Sequence, residues 1–294
     1  MGMLEREMKN LARQAGGSHK TVHDRIATAG RFCERLMELN VQIRYVHHLK
    51  AKHIEAYIQM RLAQGIKKQT LHNETAAIRK ILTQAGREKL AQSERISNKS
   101  LGLAGVSRNG TRKAITPEYY QQMAETARMK DAGLAAALEL AWLMGLRSQE
   151  AVRCSRSLQT WRQALEHGDT RLTIVFGTKG GRPRDTLIQD AGAVKQALDN
   201  AIAVAGLRNG RLIDAASLKQ AMKYWRNQTL RMGLTGKYSP HSLRYAWAQD
   251  DIRRYLAQGF SEKEALAMVA MDLGHGDGRG RWVKQVYAHE WKKE

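Results

Sequence analysis

Residues 132–144, AGLAAALELAWLM, carry a single charged side chain, Glu139, and are apolar on nearly every face. A helix of this kind is stable in water only when other elements cover it on all sides. The stretch therefore predicts a domain built around one central buried helix. No run of 18 apolar residues occurs, so no membrane-spanning helix is expected. A length of 294 residues leaves room for a second domain. Three prolines and a 43% hydrophobic content exclude wholesale disorder. The N-terminus, MGMLEREMKN, has acidic residues and no apolar core, which is not the pattern of a secretory signal. Two cysteines, Cys33 and Cys154, make no disulfide framework and point to a reducing cytoplasm.

The formal charge is +21, from 49 Lys+Arg against 28 Asp+Glu. On a folded chain such a balance calls for a polyanion, nucleic acid first and an anionic membrane second. Residues 1–115 hold 22 basic and 9 acidic side chains, and residues 116–294 hold 27 and 19. The shorter segment is the more basic, as a segment lying along a phosphate backbone should be.

The first third reads as helices. Residues 20–38 place Val22, Ile26, Ala29, Phe32, Cys33, Leu36 and Met37 at three- and four-residue steps, with Gly30 an interruption. Ile54, Ile58 and Leu62 repeat the pattern and Gly65 is its stop; Leu71, Ala76, Ile78, Ile81 and Leu82 repeat it again. Residues 97–115, SNKSLGLAGVSRNGTRKAI, have no helical period and read as an exposed linker, with basic side chains placed to lie along DNA. Thr116-Pro117 opens a helix, with Pro117 at its first position. Beyond the central helix, RLTIVF at 171–176 and RDTLI at 184–188 predict two strands joined by GTKGGRP as a hairpin. Helices follow over 191–206, from Pro240 in the first helical position, from a Ser261–Glu264 capping box, and over about 281–291.

Four clusters in the second part carry chemistry, each weak alone. Arg147 ends the buried helix, with Glu150 three residues on; by itself this is a pair joining two helices. Lys179 sits at the hairpin tip, where a solvated turn lysine is ordinary. His241 and Arg244 share a face near a helix N-terminus, where free N–H groups favour an anion. Leu273-Gly274-His275 precedes Tyr287 by a glycine-rich spacer. No phosphate-binding glycine loop is present. His19 and His23 lack a third ligand and read as a solvated helix face.

The order Arg, hairpin Lys, His-x-x-Arg, Gly-His, Tyr resembles the tyrosine recombinase (phage integrase) family, over the whole second part and more loosely over the first. The resemblance implies a mainly α fold with a small antiparallel β-sheet. It implies an N-terminal helical core-binding (SAM-like) domain over 1–105, a linker over 106–115 and an α+β catalytic domain over 116–294. It implies a site-specific DNA recombinase that cleaves and rejoins strands through a 3′-phosphotyrosine on Tyr287, serving a prophage or other mobile element. Arg147 and Arg244 would clamp the non-bridging phosphate oxygens, and Lys179 would protonate the leaving 5′-oxygen. His241 and His275 would hydrogen-bond the phosphate and assist proton transfer, with Glu150 orienting its neighbours.

Arg108, Arg112 and Lys113 are the linker's candidate DNA contacts. The implied partners are double-stranded DNA, further copies forming a tetramer on paired sites, and accessory bending or directionality proteins. Neither a cofactor nor a metal is implied, because the phosphotyrosine conserves the bond energy. Two other readings share the residues: a type IB topoisomerase-like relaxing enzyme, and a non-catalytic DNA-binding protein that keeps the fold.

Three departures stand out. Tyr245 occupies the place after His-x-x-Arg where the family often has His. The glycine-rich spacer suggests a mobile Tyr287 that orders on a DNA-bound assembly. Only seven residues follow Tyr287, a short tail for locking protomers together.

Overall fold

A computed structural model of the chain describes residues 2–289. They form two compact units, Met1–Ser107 and Arg108–Glu294.

The first unit is helical. α1 (Met3–Gln14), α2 (His19–Glu38), α3 (Ala51–Ala63), α4 (Lys68–Gln84) and the single turn α5 (Glu88–Ala91) surround one apolar core. α1 buries Leu4, Met8 and Ala12, an i, i+4, i+8 stripe that sequence reading passed over. Gly30 lies inside α2 against the Lys9 side chain of α1, so the interruption is a helix–helix contact. Phe32 meets Tyr57 edge to face at 5.1 Å. Glu74, buried on α4, accepts from the Tyr57 hydroxyl at 2.7 Å and from Arg61 Nη2 at 2.9 Å. The first part of the segment 97–115, read as exposed, is packed instead: Leu101 and Leu103 are buried in this core, beside Ile96. His72 also bonds the Leu103 carbonyl at 2.6 Å. Sparse apolar residues without a helical period marked a packed irregular segment.

In the second unit α6 (Pro117–Lys130) opens with Thr116 capping Tyr119 N and Pro117 in the first turn. α7 (Ala132–Met144) is the central helix, covered by α6, by α8 (Ser148–Arg153), and by two later helices, Ala191–Gly206 and His241–Ala257. α9 (Leu158–Glu166) buries Leu158, Trp161 and Leu165. It leads to a two-stranded antiparallel hairpin of β1 (Arg171–Ile174) and β2 (Arg184–Leu187), with Arg171 opposite Leu187 and Ile174 opposite Arg184. The strands are shorter than expected because the chain leaves the ladder at Val175 and closes the tip with a tight turn at Lys179–Gly181.

α10 (Ala191–Gly206), α11 (Leu218–Arg231), α12 (His241–Ala257), α13 (Glu262–Asp272) and α14 (Gly280–Tyr287) complete the unit. The Ser261–Glu264 capping box is present on α13. Pro240 stands one place earlier than expected, at the cap of α12, with His241 the first helical residue. The last helix ends at Tyr287, short of the expected end near 291, which itself lies outside the described residues. Gly110 N donates to Gln285 O at 3.0 Å and Lys113 N to Lys237 O at 3.0 Å. The later part of the expected linker is thus a strap on the second unit. Among the described residues no helix is long and apolar enough to cross a membrane.

Candidate active site

The site is assembled where α7 ends, α8 begins, β2 passes, and α13 turns toward α14. α7 terminates because Gly145 takes a left-handed φ of 59°, a conformation that costs glycine least. A Cβ at Gly145 would also meet the Trp247 indole at 2.7 Å. The chain then leads straight into Arg147, the cap of α8. After α13, Gly274 makes a second left-handed turn at φ 67°, and a Cβ there would collide with the Arg184 side-chain stem at 2.6 Å. The glycines of Gly-Leu-Arg and Leu-Gly-His are therefore the two turns that let the polar residues converge.

Around them Arg147, Arg184 and Arg244 share one set of acceptors. Arg147 Nη1 donates to Glu150 Oε1 at 2.7 Å and Nη2 to the Leu273 carbonyl at 3.1 Å. Arg244, fully buried on α12, donates through Nη1 to the Gly145 carbonyl at 2.6 Å and through Nη2 to the Leu273 carbonyl. Its Nε reaches Tyr287 Oη at 3.3 Å. His275 Nε2 lies 3.3 Å from the same hydroxyl.

Tyr287 is only 2% exposed. Its ring is enclosed by Tyr245 at 4.7 Å, Trp282 at 5.7 Å and His241 at 6.0 Å between centroids. The helix that carries Tyr287, α14, packs on α13 and α12. Tyr245, at the place where the family often has His, is an aromatic wall for Tyr287.

A cleft of about 1010 Å³ opens beside this cluster, lined by Arg147, Arg171, Lys179, Arg182, Arg279 and His275 among others. Lys179 is exposed at the hairpin tip and faces the same cleft. Of the linker candidates, Arg108 is exposed, whereas Arg112 donates to the Gly236 carbonyl and is half-buried.

Sequence reading missed Arg184, the inward-facing β2 residue whose guanidinium meets Glu150 twice, at 2.7 and 3.1 Å. The available signal was its alternation with Thr186, which places an arginine on the buried face of a strand. Asp272 is a second omission: fully buried, it pairs with Arg171 and accepts from the Tyr255 hydroxyl at 2.8 Å.

Burial raises the Glu150 carboxyl, but Arg184, Arg244 and Arg147 outweigh it and hold the group down at about 2. Burial, with the charges of Arg244 and Arg147, pushes His241 down to about 4 and His275 to about 3. Both imidazoles are neutral at pH 7. Asp251 on α12 is fully buried beside Asp272 and Gln189. Burial and the Asp272 charge push it up to about 8.

These shifts set a stability profile. From about pH 4 to the ordinary histidine value of 6.5, the unfolded chain protonates His241 and His275 and the folded protein does not, so stability rises with pH. From 3.8 to 8 the folded protein holds a proton on Asp251 that the unfolded chain lacks, so this group pulls stability down as pH rises. Two rising contributions against one falling contribution give a maximum near pH 6.5. We expect urea midpoints to peak there, and Asp251→Asn to remove the decline between 6.5 and 8. A monotonic rise to pH 8 in the parent protein would contradict the Asp251 assignment.

The family model described as "Phage integrase, N-terminal" matches residues 1–91, and that described as "Integrase" matches residues 102–250. No curated relative matches the chain. Among solved structures, a lambda integrase (75-356) dimer bound to a COC′ core site aligns with a TM-score of 0.62 and 20% identity, covering 99% of this chain and 97% of that one. The XerH site-specific recombinase in a post-cleavage complex with a palindromic difH substrate aligns at 0.57 and 16%, covering 99% and 92%. The Tn1549 transposon integrase with transposon right end DNA aligns at 0.58 and 11%, covering 100% and 96%. At these identities the structural likeness speaks for the fold, while the two family models match most of both units, up to residue 250: the chain belongs to the phage integrase family of tyrosine recombinases.

Proposed function

We propose that the protein is a site-specific DNA recombinase that cuts and rejoins strands through a covalent 3′-phosphotyrosine on Tyr287. The observation that carries this is the placement of Tyr287 Oη, 3.3 Å from both Arg244 Nε and His275 Nε2, among arginines at the edge of a basic cleft. Oη attacks the scissile phosphorus, the bond to the 5′-oxygen breaks, and the neutral His275 takes the tyrosine proton. Lys179, on the hairpin tip facing the cleft, protonates the departing 5′-oxygen. His241 closes the wall around the tyrosine and hydrogen-bonds the phosphate.

A phosphodiester carries one negative charge and its five-coordinate transition state two. Three guanidiniums against the Glu150 carboxylate leave two positive charges to meet them. Rejoining is the same path reversed, with a 5′-hydroxyl as the nucleophile.

The likeness to structures solved on DNA, including a lambda integrase tetramer bound to a Holliday junction at a TM-score of 0.58, supports duplex DNA as partner and a tetramer on paired sites. A lambda integrase and a transposon integrase among the matches support service to a prophage or mobile element. Accessory bending or directionality proteins are proposed as further partners on the family resemblance alone. The test is a nicked suicide substrate: an SDS-resistant protein–DNA adduct is expected, and its absence on a substrate the protein binds overturns the proposal.

Arg108, with Arg112 and Lys113 behind it, is proposed to follow the phosphate backbone. Arg108→Glu should lower the slope of log affinity against log salt by about 0.9 or more, since one phosphate contact is worth about that. An unchanged slope removes Arg108 from the DNA path.

A further inference from the structure

We propose that Arg184 is a positioning residue for strand cleavage: it occupies one side of the Glu150 carboxylate so that Arg147 cannot close on Glu150 and stays available to the phosphate. The inference rests on the strand-cleavage reading above and goes beyond it, since Arg184 touches no reacting atom.

Glu150 accepts four hydrogen bonds. Oε2 takes Arg147 N at 2.8 Å and Arg184 Nη2 at 2.7 Å; Oε1 takes Arg147 Nη1 at 2.7 Å and Arg184 Nε at 3.1 Å. The Arg184 contact is thus the two-pronged, fork-to-fork kind, which is the strongest geometry an arginine and a carboxylate can adopt. Arg147 is left with a single side-chain bond to the same group. Arg184 is further fixed by the Asp272 carbonyl at 3.0 Å and the Gly145 carbonyl at 3.3 Å. Four of its five N–H groups are therefore used, and its side chain is 4% exposed. Arg147 uses two of its five among the described residues and is 20% exposed. One arginine is spent on structure so that the other keeps donors for an anion.

Removing Arg184 vacates one lone pair on each Glu150 oxygen. Arg147, already bonded to Oε1, then rotates into a two-pronged pair and is withdrawn from the phosphate. Neutralising Glu150 as well should release it again.

The test uses single-turnover cleavage of a nicked duplex carrying either phosphorothioate diastereomer at the scissile phosphate. Arg184→Gln and Arg184→Lys should bind DNA within about twofold of the parent and cleave about 10²-fold more slowly, as expected for a sub-ångström to ångström misplacement of a clamp. The rate ratio of the two diastereomers should shift, because Arg147 has moved relative to one oxygen. A variant that is merely less well folded loses both rates equally and keeps the ratio. Adding Glu150→Gln to Arg184→Gln should recover about tenfold of the rate. An unchanged diastereomer ratio in a folded variant, or no recovery in the double variant, overturns the proposal. If Arg184→Gln does not fold, Arg184→Lys gives the same readout. A parent protein that forms no adduct at all sinks the strand-cleavage reading instead, so the two failures are distinct.

Discussion

Tyr287→Phe should form no covalent adduct with a nicked substrate while binding it within about twofold, and residual cleavage should fall by on the order of 10⁶-fold, as when other covalent enzymes lose their nucleophile. The substitution removes one oxygen and leaves the ring. That ring is buried against Tyr245 and Trp282, so the apolar contacts survive. What is lost is the acceptor for Arg244 Nε and the partner of His275 Nε2. Arg244 keeps the Gly145 and Leu273 carbonyls, which holds the variant's structure close to that of the parent. Gel electrophoresis in SDS after incubation with labelled DNA gives the answer. An adduct that persists in Tyr287→Phe would remove Tyr287 from the role of nucleophile.

Glu150→Ala should be the most damaging single change to stability, at about 3–5 kcal/mol, the usual result of leaving a buried charge without its counter-ion. Glu150 is fully buried, and its carboxylate is the acidic group shared by Arg147 and Arg184, with Arg244 close enough to act on it. Without it three guanidiniums repel one another, two of them buried. One backbone contribution vanishes too, because Glu150 also caps α8 through Arg147 N. Chemical denaturation should show the loss directly. The double variant Glu150→Leu with Arg184→Met should be milder than Glu150→Ala alone, since both sides of the buried pair are then neutral. Equal stability of Glu150→Ala and parent would show that the arginines find other acceptors.

Much of this was readable from residues, and the reasons for the exceptions are physical. The central helix announced itself because it is apolar all round, and the polar site residues because their types and order are unusual together. α1, α9 and α11 were missed because each shows only a narrow stripe, such as Ala221, Trp225 and Thr229 on α11, among charged and polar neighbours. The segment from 97 to 115 was read as one linker because it lacks a period, yet its two ends pack by isolated anchors: Leu101 and Leu103 in one unit, Gly110 and Lys113 backbone bonds in the other. Arg184 escaped because a lone arginine in a short strand looks like a solvent-facing residue. Its alternation with Thr186 pointed inward, and its partners, brought from α7, α8 and α13, hold it there.

The acceptors that gather the three arginines are mostly backbone carbonyls at the C-terminal ends of α7 and α13: Gly145, Asp272 and Leu273. Helix C-termini present the negative end of an aligned row of peptide dipoles, worth roughly half an elementary charge each. Two such ends do part of the work that further carboxylates would otherwise do, and they do it without a side chain that substitution can remove. Sequence drift along α7 and α13 therefore leaves the cationic centre intact so long as the chain still turns where it does. Within those two helix ends the positions that matter most are then the uncharged ones that set the turns, Gly145 and Gly274.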